Sequence, residues 1–242
     1  KPPPGFHPPQ PHLVCKLKKS LYGLRQAPRQ WYFKLASALL QYGFVQSPLD
    51  HSLFLYRRDD IFLALLVYVD DLVLAGNNHA HCDKFKTYLH TCFKLKDLGP
   101  LKYFLGIEVA RSQEGLFLCQ QKYTLDILSE TGMLGAKPCS CPMEQNLKLS
   151  TDSGAPLLDA SSYRRLIGRL LYLTITRPDI MYSIHILSQF LHDPRQGHWA
   201  AALRILRYLK SSPGQGILLP ARNSLDLHVY CDSYWASCPM TR

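Results

Sequence analysis

An apolar run, Ile61-Phe62-Leu63-Ala64-Leu65-Leu66-Val67, and a second, Leu72-Val73-Leu74-Ala75, flank the acidic pair Asp70-Asp71, with Tyr68 and Val69 just before it. Two short apolar runs joined by a short polar segment predict a buried β-hairpin with its acids at the tip. No other pattern constrains the chain as strongly, because the strands need a sheet and the adjacent acids need a reason to be adjacent. At about 5 Å and an effective dielectric near about 20, two such charges repel by about 3 kcal/mol. A divalent cation removes that penalty. Mg²⁺ held by one or two carboxylates together with substrate phosphates is a common phosphoryl-transfer arrangement. A tight turn with both carboxylates in water is the other reading, and the motif alone does not choose between them. Asp59-Asp60 follows Arg57 and Arg58 and precedes the strand that opens at Ile61, the pattern of a solvated turn.

Periodicity places helices around this hairpin. Trp31, Leu35, Leu39 and Tyr42 share one face of a helix predicted over 28–42, with Pro28 suited to its first turn and Gly43 to its stop. Arg25 and Arg29 sit at its start, where the helix dipole disfavours cations. Either an anionic ligand relieves that or the arginines are simply exposed. A second helix is expected over 79–92. Strands are expected over 102–109 and 116–119, with Gly106 inside the first, where it permits a close backbone approach or marks a bulge. The Pro-rich stretch 1–12 should be extended, and 13–17 alternates like a short strand. From Gln120 the pattern turns helical, with a short helix over 123–132 and a Pro/Ser-rich connection over 137–156. Tyr163, Leu166, Ile167, Leu170 and Leu171 define the first of three amphipathic helices. Ile180, Ile184, Leu187 and Leu191, between Pro178 and Pro194, define the second. Trp199, Ala202, Leu203, Leu206 and Leu209 define the third, which ends near Pro213-Gly214. These stripes are core. Arg164, Arg165, Arg169, Arg204, Arg207 and Lys210 lie off them. Strands over 217–219 and 225–231 come last.

A net charge of +10 favours a polyanionic partner. The excess is uneven: Lys1, Lys16, Lys18, Lys19, Arg25, Arg29, Lys34, Arg57 and Arg58 precede the hairpin tip against Asp50, Asp59 and Asp60, and a second basic cluster runs from Arg164 to Lys210. A hydrophobic fraction of 47% in 242 residues excludes a disordered chain and suffices for one large or two small cores. No apolar run approaches a membrane span and no signal peptide is visible, so no membrane association is expected. Among eight cysteines only Cys139 and Cys141 are close, with no second pair or His at zinc-ligand spacing, so free intracellular thiols are expected.

Tyr68-Val69-Asp70-Asp71 resembles motif C of reverse transcriptases. Leu17-Lys18-Lys19-Ser20-Leu21-Tyr22-Gly23-Leu24-Arg25-Gln26-Ala27-Pro28-Arg29-Gln30-Trp31 resembles the motif B region of the Ty1/copia type. Lys96-Asp97-Leu98-Gly99-Pro100-Leu101-Lys102-Tyr103-Phe104-Leu105-Gly106-Ile107-Glu108-Val109 is similar to its primer-grip segment. The likeness continues through Tyr163-Arg164-Arg165-Leu166-Ile167-Gly168, Thr176-Arg177-Pro178-Asp179-Ile180 and the stretch 201–210, in order.

The resemblance implies an α+β fold. Residues 1–120 would form a partial palm, an antiparallel sheet with packed helices running from motif B to the primer grip. Residues 121–212 would form a helical thumb or connection with a basic side toward duplex, and 213–242 the first strands of a truncated RNase H-like domain. It also implies two-metal nucleotidyl transfer with Mg²⁺ or Mn²⁺. Asp70 would be the metal-binding acid of motif C and Asp71 its partner. Arg25, Gln26, Tyr68, Val69 and Lys96 would face template and incoming nucleotide, with Lys96 equally readable as a solvated lysine. Phe104, Leu105 and Gly106 would hold the primer end, and Asp232 would be the first RNase H acid, although Tyr234 stands where the family commonly has Asp. Implied partners are a template–primer duplex, dNTPs and the rest of a Pol polyprotein, in cytoplasmic virus-like particles. The motif A acid and the fingers would lie upstream of Pro4-Gly5-Phe6, and the remaining RNase H acids past Arg242. The sequence therefore reads as a piece truncated at both ends, inactive alone and without RNase H activity. A non-catalytic basic nucleic-acid-binding module is the rival reading. A metal-dependent hydrolase built on Asp70 and Asp71 is a third, lacking an evident set of further ligands, since His79 and His81 open the next helix.

Overall fold

The computed structural model describes residues 5, 16–21, 23–145, 147–224 and 226–231. The expected extended stretch 1–12 and strand 13–17 fall largely outside them, and Asp232 falls outside altogether. The fold is mixed α+β, with two antiparallel four-stranded sheets and six α-helices among the described residues. The chain divides into two compact units, Lys1–Gly99 and Pro100–Arg242. That division falls ahead of residue 120, so the strand pairs expected with the palm are grouped with the helices that follow them.

In the first unit, α1 (Ala27–Tyr42) leads into β1 (Val45–Gln46), β2 (Leu53–Arg58), β3 (Ile61–Tyr68) and β4 (Asp71–Gly76), followed by α2 (His79–Cys92). The strands lie in sequence order, β1-β2-β3-β4. Alternation does the sorting: Phe54 and Tyr56 of β2 and Leu63, Leu65 and Val67 of β3 are buried, while their neighbours are less so. Leu35, Ala38 and Leu39 of α1 and Phe85 and Leu89 of α2 complete that apolar cluster. The expected hairpin is present, but only one face of β3 is buried and β4 is half-exposed as an edge strand. The predicted stop at Gly43 holds, with φ 111° and its N–H returning to Leu39 and Leu40. α2 begins where Asn78 accepts from the His81 N–H.

In the second unit, β5 (Tyr103–Phe104), β6 (Ile107–Arg111), β7 (Gly115–Cys119) and β8 (Gly216–Pro220) form the other sheet in that order. The helices are α3 (Gln121–Glu130), α4 (Ala160–Leu173), α5 (Met181–Ser188) and α6 (Gln196–Ser211), with 3₁₀ turns at Met133–Gly135 and Pro178–Ile180. They share one core built on Ile127, Tyr163, Leu170, Ile184, Leu206 and their neighbours. Glu108 on β6 accepts the Lys122 N–H, supplying the anion that Gln120, which makes no side-chain cap, does not give to α3.

Four expectations change. The strand 102–109 is broken by a turn at Leu105-Gly106, where both residues have positive φ (50° and 81°). Gly106 therefore serves the turn and not a strand interior. Leu171, expected in the core stripe, is exposed. β8 pairs with β7 and closes the second sheet, so that strand is an edge of this unit. The described residues of the expected strand 225–231 form no strand.

Candidate active site

Tyr68 and Asp71 are paired across β3 and β4, leaving Val69 and Asp70 as a two-residue turn. Val69 has φ 53° and Asp70 is not in the positive region, the sign pattern of a type II′ turn. That first position normally takes glycine. A β-branched residue there is a genuine outlier and stores about 1–3 kcal/mol. Two interactions keep it. One is the β3–β4 ladder. The other is the indole of Trp31 on α1, whose Nε1–H donates to the Val69 carbonyl at 2.8 Å. Trp31 is in turn set edge-on against the buried Phe93, ring centroids 5.2 Å apart, and Lys34 lies 5.4 Å over the same Phe93 ring.

Asp70 and Asp71 are both exposed at this tip, as are Tyr68 and Val69. Among the described residues no group of three His, Cys, Asp or Glu side chains gathers closely enough to hold a metal ion. The pair fits part of a metal's donor set: two adjacent oxygen-bearing acids on a held backbone, open to solvent and to a ligand. The same dipeptide at Asp59-Asp60 also forms a two-residue hairpin tip, between the paired Arg58 and Ile61, with Asp59 at φ 52°. Its backbone is held differently, by Asn77, whose Nδ2–H donates to the Asp60 carbonyl and whose Oδ1 accepts the Phe62 N–H.

Arg25 and Gln26 are exposed at the start of α1, Gln26 occupying the cap position without a side-chain cap bond. They lie five to six residues before Trp31, about 7–9 Å along the helix axis. Because Trp31 touches the hairpin tip, the helix brings motif-B-like and motif-C-like residues into one neighbourhood. Lys96 is exposed in an irregular segment. Its neighbour Asp97 is held below the usual carboxylate range by the Gly99 N–H and then by Lys86, which it meets at 3.1 Å. Phe104, Leu105 and Gly106 form the tip of the β5–β6 hairpin in the second unit. There the Tyr172 hydroxyl of α4 donates to the Leu105 carbonyl, and Tyr172 is set edge-on against Tyr123.

The two basic clusters differ. Among the described residues Lys18, Lys19, Arg25 and Arg29 are exposed and make no ion pair or side-chain hydrogen bond. The later cluster, expected to face duplex, is engaged inside its own unit. Arg164 donates to the Leu191 and His192 carbonyls and Arg165 to Ser162. Arg169 pairs with Glu130, and Arg204 with Glu144 and the Cys141 sulfur. Arg207 and Lys210 donate to the Lys137 and Ala136 carbonyls. Sequence reasoning also misses Trp31, which it places on a core stripe. The only signal is its place five residues after Gln26 on a helix facing the hairpin.

Residues 1–145 match the family described as reverse transcriptase (RNA-dependent DNA polymerase). The chain is 48% identical over 97% of its length to the retrovirus-related Pol polyprotein from transposon RE1 of Arabidopsis thaliana, of which it spans 16%. It is 38% identical over 84% of its length to the corresponding polyprotein from transposon TNT 1-94 of Nicotiana tabacum, again spanning 16% of that protein. An uncharacterized mitochondrial protein of Arabidopsis thaliana is 41% identical, with 74% of each chain covered. No solved structure matches.

Proposed function

This chain belongs to the reverse transcriptase (RNA-dependent DNA polymerase) family, in its Ty1/copia type, and we propose that it serves RNA-directed DNA synthesis with Asp70 and Asp71 as metal-holding carboxylates. The observation that carries this reading is the tip itself. Two adjacent acids stand exposed on a turn whose strained backbone is fixed by a bond from α1, the helix that follows the cap residue Gln26. A divalent cation there, Mg²⁺ or Mn²⁺, would supply charge neutralisation of a triphosphate and activation of a primer hydroxyl. The chain's own residues orient and bind. Asp70 and Asp71 present carboxylate oxygens from a backbone that Trp31 holds. Arg25 and Gln26 offer donors to phosphate and base at the uncapped helix start. Lys18, Lys19 and Arg29 add unpaired positive charge for a nucleic-acid backbone.

Two carboxylates do not complete such a site. β4, which opens with Asp71, is the outer strand of its sheet, and its free edge has no partner among the described residues. A strand from the remainder of a Pol polyprotein added along that edge would bring a further acid beside the pair. In this reading the first unit corresponds to palm, the β5–β6 tip holds the primer end, and the helices of the second unit form the thumb. The test is primer extension on an RNA template by the chain within its Pol polyprotein. Asp70→Asn should lower synthesis about a hundred- to thousandfold, and synthesis that survives Asp70→Asn overturns the assignment.

The unpaired basic residues ahead of the hairpin also favour a second reading, a nucleic-acid-binding module without catalysis. Steeply salt-dependent, sequence-blind binding that is indifferent to Asp70→Asn, with no primer extension, would favour it.

A further inference from the structure

We propose that Trp31 is a positioning residue: its indole N–H, by holding the Val69 carbonyl, selects the turn type at the hairpin tip and so aims Asp70 and Asp71. The clamp stands on geometry alone. Only its consequence for metal binding rests on the reading given under Proposed function.

The peptide joining Val69 to Asp70 is the central peptide of the turn. Types I′ and II′ share a positive φ at the first central residue and differ in the orientation of that central peptide. With the peptide flipped, the second residue also enters the left-handed region. The carbonyl of Val69 is therefore the group whose direction decides whether Asp70 sits at negative or positive φ. Trp31 donates to that carbonyl at 2.8 Å, and Asp70 is on the negative side. A glycine at 69 would adopt φ 53° without help. Valine resists it, so the tip depends on what holds the peptide.

The donor is itself fixed. Trp31 is on α1, and its ring is braced edge-on by Phe93, a residue of the buried core. The same device recurs in the second unit. Leu105 is a non-glycine residue at φ 50° on a two-residue tip, and its carbonyl, again that of the central peptide, accepts from the Tyr172 hydroxyl. There both central residues have positive φ, the type I′ pattern. An aromatic donor thus meets the central carbonyl at both tips, but only at the β3–β4 tip does the turn lack a glycine that accepts its positive φ freely.

Trp31→Phe keeps the ring against Phe93 and removes only the N–H. In ¹H–¹⁵N spectra of the full chain it should shift or exchange-broaden the amides of Val69, Asp70 and Asp71. It should also weaken Mn²⁺ binding, read as paramagnetic broadening of the same amides, by at least about threefold. In a Val69→Gly background, where the strain is gone, Trp31→Phe should change Mn²⁺ affinity less than about 1.5-fold. A purely structural tryptophan would act equally in both backgrounds, and that result overturns the proposal, as do unmoved amides at 69–71. If Trp31→Phe fails to fold, 3-benzothienylalanine at position 31 keeps the bicyclic ring without the N–H and must give the same pattern. If Mn²⁺ leaves the wild-type tip amides sharp while Trp31→Phe still moves them, the metal reading falls and the clamp stands.

Discussion

The two interiors are built on different principles. Apart from the tyrosine Tyr56, every described residue buried in the first unit is a hydrocarbon side chain, and its charges stay at the surface. The second unit buries Gln120, Thr124, Thr174, Thr176, Arg177, Ser183 and His198. Most of them are tied to partners, although the Gln120 Nε2 is buried with none among the described residues. Arg177 lies 1% exposed, forks onto Asp179, donates to the Ser212 carbonyl and stacks on Tyr208, whose hydroxyl also reaches Asp179. His198 stacks on Phe190 at 3.9 Å, its Nδ1 accepting the Arg195 N–H and its Nε2 bonded to the Ser150 carbonyl. The apolar interior leaves acids and bases free to meet a ligand. The polar one spends them on tying loops to helices, and its outer arginines do the same.

The largest consequence is at Arg177. Arg177→Met removes one partner of a buried pair and should cost about 3–5 kcal/mol, most of it from stranding Asp179. Hydrogen exchange read on α4 and α6 measures it. Asp179 carries two opposed influences: burial raises its pKa, and the bonds from Arg177 and Tyr208 outweigh that and lower it. Adding Asp179→Leu should therefore recover much of the loss. An Arg177→Met protein as stable as the wild type would erase the contrast, because the buried ion pair would then be replaceable by grease. In the first unit a loss of similar size needs a cavity, such as Leu65→Ala at about 2–5 kcal/mol.

The contrast also predicts different acid behaviour. Burial first, with Arg195 adding to it, holds the His198 pKa below its ordinary value, against the opposing Ser150 bond and Asp193. Below the ordinary histidine pKa the unfolded chain takes up the proton and the folded chain does not. Stability of the second unit is thus fully present above about pH 6.5 and falls as pH drops below it, by up to about 1.4 kcal/mol per pH unit until the folded pKa is reached. Denaturation midpoints of the second unit between about pH 7 and 5 should show this slope, and His198→Gln should remove it. An unchanged slope in that variant would place the acid sensitivity elsewhere. Asp179 titrates lower and does not contribute in this window.

Much of this is legible in the sequence, and the failures have a common cause. The helix over 79–92 and the strands meeting at Asp70 follow from local periodicity, and the structure places them there. Gly43 stops its helix because a left-handed C-cap is a local requirement. The Leu105-Gly106 turn reads as strand because one glycine after a leucine carries no alternation break. Trp31 reads as core because periodicity sees its ring and not its N–H. The internal bonds of the basic cluster from Arg164 to Lys210 are not legible because its acceptors, the carbonyls of Ala136, Lys137 and Leu191 and the acids Glu130 and Glu144, lie on other elements. Long-range polar pairing leaves no local mark.

The two clamped tips give a smaller effect. Tyr172→Phe removes the donor to Leu105, worth about 0.5–1.5 kcal/mol. Gly106 already accepts positive φ, so the β5–β6 turn should keep its type and lose only stability. At the β3–β4 tip, Trp31→Phe should cost a similar amount but alter the turn as well, because Val69 does not accept its φ freely. Backbone amide shifts at 104–107 and 68–71 separate the two outcomes. Equal rearrangement at both tips would mean that glycine at the second position gives no protection.

The smallest effect tests whether free and engaged arginines differ in kind. Arg25 is exposed at the start of α1 and has no partner among the described residues, whereas Arg207 donates its Nε–H to the Lys137 carbonyl. If Arg25 meets a nucleic-acid phosphate, Arg25→Gln removes one released counterion. The log–log slope of affinity against salt then falls by about 0.9, a three- to fourfold difference in affinity across about 50 to 200 mM salt. Arg207→Gln should leave the slope unchanged and instead lower the melting temperature, since it unties the chain at 137 from α6. Binding isotherms on a single-stranded and a duplex oligonucleotide at several salt concentrations give both slopes. Equal slope changes would show that an internal bond to a carbonyl does not withdraw an arginine from phosphate, and the second unit's basic cluster would then rejoin the nucleic-acid surface.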